Sequence, residues 1–81
     1  MRMVSPNDML QAAKEHMLGG REPEGHDDWM QILNFVAFNI SAGLEQPILQ
    51  LFGRMYGIPK SAMRYADEIA AYQCERKAKK N

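Results

Sequence analysis

Apolar side chains recur every third or fourth position along most of the chain, and no segment alternates strictly, so the pattern predicts helices and no strands. Met9, Ala13 and Met17 repeat at a spacing of four, with Leu10 and Leu18 beside them, which is one face of an amphipathic helix. Ser5-Pro6-Asn7-Asp8 is its start: Ser5 caps, Pro6 suits the first helical position, and Asp8 is the capping-box acid. Gly19-Gly20 stops it, and a polar loop rich in turn residues follows to His26. Asp27 or Asp28 then caps a second helix, in which Trp29, Ile32, Leu33, Val36 and Ile40 share a face. Phe35, Ala37 and Phe38 carry its apolar surface round most of the circumference. Such a helix belongs at the centre of a core, and any exposed remainder is a candidate dimer surface. Gly43 is its expected end.

Pro47 restarts helical structure, and Ile48, Leu49, Leu51, Phe52 and Met55 form the expected buried face of a third helix that Gly57 stops. Ile58 packs inward and Pro59 opens a fourth helix, where Met63, Ala66, Ala70 and Cys74 share a face with Ile69 adjoining. The basic tail over residues 75–81 frays. The fold class expected is all-α: a small four-helix domain spanning residues 1–81 and containing a helix-turn-helix at about 47–73.

Composition narrows the functions. A chain of 81 residues is one domain. It buries only about 60–65% of its unfolded surface, which leaves no room for two lobes around a deep cleft. The 7 methionines read mainly as core filling. The single cysteine, Cys74, excludes an internal disulfide and fits a reducing, cytoplasmic setting. The start, Met-Arg-Met-Val-Ser-Pro, lacks a signal-peptide run, and no stretch is apolar enough to span a membrane. Net charge is zero but unevenly placed. Residues 1–49 hold three basic and seven acidic side chains; residues 50–81 hold seven and three. The positive half coincides with the expected helix-turn-helix and hints at a polyanion partner.

The helix-turn-helix frame makes stereochemical demands. Phe52 is the inward anchor of the first helix, and Gly53 is the small residue where the second helix crosses. Gly57 supplies the positive φ of the turn, Ile58 plugs the angle, and Met63 and Ala66 form the inward row of the second helix. Tyr56-Gly57-Ile58-Pro59-Lys60-Ser61-Ala62-Met63 resembles the turn of pipsqueak-type helix-turn-helix domains, in which Tyr-Gly-Ile-Pro-Lys-Ser is followed by Thr and Leu. The resemblance implies a DNA-binding unit. Ala62 departs from it by removing a phosphate-contacting hydroxyl, and the segment from Gly43 to Tyr56 is slightly longer than the family's. The N-terminal part, with its Gly19-Gly20-Arg21 loop between two helices, is similar to small phage and prophage proteins.

In a DNA complex the second helix enters the major groove N-terminus first. Its exposed face carries Lys60, Ser61, Arg64 and Tyr65, with Arg64 placed for a bidentate contact to guanine. Lys60, Ser61 and the tail residues Arg76, Lys77, Lys79 and Lys80 are the expected phosphate contacts. Against this, Arg64 and Glu68 are four apart and suited to pair with each other, and Asp67 and Glu68 dilute the positive field. His16, His26, Asp27 and Asp28 read as capping and loop polarity rather than a metal site, and no phosphate loop or nucleophile motif is present. The expectation is a non-enzymatic, cofactor-free binder of double-stranded DNA, a homodimeric phage or bacterial transcriptional regulator. The alternative is a phage-encoded protein that binds and inhibits a host protein, using the acidic loop around Glu22 to Asp28.

Overall fold

A computed structural model describes residues 5–79. Five helices follow one another: α1 (Pro6–Leu18), α2 (His26–Phe38), α3 (Glu45–Tyr56), α4 (Lys60–Met63) and α5 (Ala66–Lys79). No strand occurs among the described residues, so the small all-α architecture is as the periodicity predicts.

Local chemistry explains both ends of α1 and the end of α3. The Ser5 hydroxyl accepts from the Asp8 backbone N–H at 3.1 Å, and Pro6 fills the first position of α1. Gly19, with φ +65°, closes α1, and the N–H groups of Gly19 and Gly20 both return to the Lys14 carbonyl. Gly57 closes α3 in the same left-handed region, φ +61°, where an L side chain is strained. Asp28 does not cap α2. Gly25 occupies the cap position, and the Asp28 carboxylate, in the first turn, reaches back to the Glu24 N–H at 3.0 Å.

α2 lies at the centre, packed against α1, α3, α4 and α5. Ile32, Leu33, Val36 and Ala37 are fully buried on it, and Leu49 and Phe52 meet them from α3. Each large side chain so buried contributes about 1.5–3 kcal/mol. The dimer seam expected on α2 is therefore spent inside the fold; Phe38 alone among its large apolar residues is mostly exposed.

Four expectations are corrected. On α1 the buried row is Leu10, Ala13, Lys14 and Leu18, one step round from the row of Met9, Ala13 and Met17, and Met17 is exposed. The Lys14 stem lies in the core while its ammonium reaches out to Glu22 at 2.9 Å, so a residue scored polar in the pattern packs as an apolar one. α2 ends at Phe38, not at Gly43, because the side chain of Asn39 folds back to donate to the Phe35 carbonyl and the chain turns. On α3, Leu51 and Met55 are exposed; Leu49, Phe52 and the carboxylate of Glu45 face inward. The fourth helix is divided. At Arg64 and Tyr65 the Tyr65 N–H bonds to Ala62 three residues back, and a new helix begins at Ala66. No glycine or proline stands at that break. Tertiary packing accompanies it instead: Met63 seats on Gly53, and Tyr65 meets the edge of His26 on α2.

Candidate nucleic-acid interface

The turn between α3 and α4 packs inward through Ile58. Ile58 is buried at 6% exposure, and its N–H returns to the Gly53 carbonyl at 3.2 Å. A β-carbon at Gly53 would come within 2.7 Å of Sδ and Cε of Met63, so glycine is what lets that side chain lie against α3. Ala62 and Ala66, both fully buried, hold α4 and the start of α5 against the core.

With Ala62 inward, Lys60, Ser61 and Arg64 point outward and are exposed. Three of the expected contact residues thus share one short turn. Tyr65 is only half available: its ring is part-buried and stands edge-on to His26, centroids 5.8 Å apart. Arg64 forms no ion pair with Glu68. Asp67 accepts a hydrogen bond from Gln46 at 2.7 Å, which ties the first turn of α3 to the first turn of α5.

The tail residues divide. Lys77 does not face outward as a phosphate contact. Its ammonium donates to the Ala37 carbonyl at 2.8 Å, to the Ile40 carbonyl, and to Glu45 Oε2 at 2.8 Å. All three ammonium protons are thereby used, on one carbonyl in the last turn of α2, one just beyond its end, and a carboxylate at the start of α3. Glu45 is 2% exposed. Its burial works to raise the carboxyl pKa, but Lys77 and the backbone N–H groups of Glu45 and Gly43 outweigh that and hold it below the usual carboxylate range. Arg76 is exposed, and its guanidinium carbon lies 5.7 Å from the ring centre of Phe38 and 5.8 Å from that of Tyr72. Lys79 is exposed; Lys80 lies outside the described residues. Arg76 sits ten residues along α5, about 15 Å at 1.5 Å per residue, so it does not join Lys60 and Arg64 in one compact patch.

The acidic loop is also partly committed. Arg21 grips Asp28 with both nitrogens, at 2.7 and 2.9 Å, and Lys14 takes Glu22. The hydrogen bond from Arg21 and the one from the Glu24 backbone lower the Asp28 pKa, and the same contact raises that of Arg21. Glu24 and Asp27 remain exposed. His16 stacks on Phe35 with ring centres 5.2 Å apart, while His26 meets Tyr65, so the two histidines serve different aromatic partners. No group of three or more His, Cys, Asp or Glu side chains among the described residues could hold a metal ion. None of the described helices is long and apolar enough to cross a membrane.

Sequence reasoning missed the exposed pair of Phe38 and Tyr72. The spacing of Tyr72 and Arg76, four apart on one helix, was the available signal. No protein-family model, curated protein or solved structure matches the chain.

Proposed function

We propose that this chain is a small binder of double-stranded DNA, a transcriptional regulator of phage or bacterial type, that presents the turn from Lys60 to Arg64 to the major groove. The observation that carries this reading is the convergence of exposed Lys60, Ser61 and Arg64 on a turn anchored from beneath by Ile58 and Ala62. Arg64 reads a guanine edge, and Lys60 and Ser61 hold phosphates. A single turn gives few base contacts, so two copies on a repeated half-site supply the affinity.

Selection from a random duplex library, followed by gel shifts across a salt series, tests this. Binding should fall steeply with salt, and Arg64→Ala should abolish the sequence preference. Absence of any duplex binding at low salt overturns it.

A second reading, a phage-encoded inhibitor of a host protein, has one specific observation in its favour. Leu44, Leu51 and Met55 stand 51%, 37% and 50% exposed at spacings of seven and four beside α3. An apolar stripe of that kind suits a protein partner better than a phosphate backbone. Co-purification of a stoichiometric host protein that Leu51→Glu releases would favour it over DNA binding.

A further inference from the structure

At the far end of α5 from the α4 turn, two rings from different helices stand in water. Phe38, the last residue of α2, is 51% exposed and Tyr72 on α5 is 55% exposed. Arg76 lies over both rings at under 6 Å, within the range of a cation–π contact. Tyr72, Arg76 and Lys79 follow at spacings of four and three, so they share one face of α5. Lys77 is neutralised by Glu45 and adds nothing to the outside charge. Two exposed acids of α5 border this stripe: Glu75 stands four residues before Lys79 and three after Tyr72, and Glu68 stands four before Tyr72. The surface is thus two aromatic rings with a guanidinium held between them, and an ammonium one turn on, bordered by Glu68 and Glu75.

Those groups complement a particular chemistry. Ring faces attract other flat π-systems; the two cations attract phosphate. An acidic peptide would satisfy the cations and leave the rings wet. A duplex would offer phosphates but keeps its base faces stacked away. Unpaired nucleotides offer both at once. We propose that the Phe38–Arg76–Tyr72 surface, with Lys79, binds single-stranded nucleic acid by stacking bases on the rings and holding the adjoining phosphates. The proposal does not depend on the duplex reading, because the two surfaces share no residue.

The test is fluorescence anisotropy of the intact protein with a labelled single-stranded oligothymidylate of about 15 nucleotides, and with a mixed-sequence duplex, at low salt. Phe38→Ala and Tyr72→Ala should each weaken single-strand binding about fivefold or more, and Tyr72→Phe should stay within about twofold. Arg76→Ala should weaken it and reduce the slope of log K against log salt by about 0.7. Arg64→Ala should leave it unchanged. Thermal melts by circular dichroism establish that each variant is folded. No single-strand binding by the wild type, or unchanged binding by both ring deletions, overturns the proposal. So does an equal loss of duplex and single-strand binding on Tyr72→Ala, or a loss on Arg64→Ala as large as on Tyr72→Ala. Single-strand binding that survives where no duplex binds would sink the α4 reading and leave this one standing.

Discussion

The loop leading into α2 and the loop leading out of it are both closed by ion pairs, in opposite settings. Before α2, Arg21 meets Asp28 and Lys14 meets Glu22 across seven and eight residues of chain. In each pair one partner is in water, Arg21 at 54% and Glu22 at 78% exposed, while Asp28 and Lys14 keep only 18% and 9%. After α2, Lys77 arrives from 32 residues beyond Glu45 and binds a carboxylate that is 2% exposed. In the first loop, each pair has one partner that water reaches and screens. At the second, a buried carboxylate and the carbonyls of Ala37 and Ile40 share one cation. Similar bonds in a contact map therefore differ widely in what their loss costs.

Lys77→Ala is the sharpest way to break that contrast. It strands Glu45 in the interior and should destabilise by about 3 kcal/mol, the low end for a buried pair because Lys77 keeps some exposure. For a domain of this size that lowers Tm by more than about 10 °C, measurable by circular dichroism. A loss no larger than that of the exposed pairs would abolish the distinction. Acid sharpens it further. Because the folded pKa of Glu45 lies below its ordinary 4.5, the folded chain binds fewer protons than the unfolded one. Its stabilisation is complete above the ordinary value and is lost as pH falls through the folded value. Urea midpoints followed from about pH 6 to pH 3 should fall in the wild type and flatten in Lys77→Ala. Asp28 shifts in the same direction, but its exposed share of the acid response should fade in about 1 M salt while that of Glu45 persists. Lys14→Met keeps the buried stem and drops the ammonium, and should change stability by no more than about 0.5 kcal/mol. Arg21→Ala should have the smallest effect, a Tm change that disappears at high salt.

What could be read in the sequence follows the range of the interactions involved. Ser5, Pro6 and Asp8, Gly19 and Gly57 act within four or five residues, so the helix ends they set were legible. Ile58 as the inward plug was legible too, from its place after Gly57. The rotation of α1 was not, because Met9 and Leu10 start equally good apolar rows and the choice depends on the stem of Lys14. Nor was the break at Arg64 and Tyr65, where no residue breaks a helix and the bend accompanies the packing of Met63 and Tyr65 on other elements. In the candidate site, the exposed turn of Lys60, Ser61 and Arg64 came from local periodicity. The diversion of Lys77 required knowing that α5 passes the junction of α2 with α3.

That junction also bears on how the molecule opens. Lys77 joins the end of α2, the start of α3 and α5 at one nitrogen, so these three helices cannot separate singly without exposing a stranded carboxylate. α1 leans chiefly on α2, and among the described residues no bond of that kind ties it to α3 or α5. It is therefore the segment expected to open first, and its amide protons should exchange with deuterium ahead of theirs. A protease meeting the native chain would find its first cleavable stretch there, in a state still folded from α2 onward.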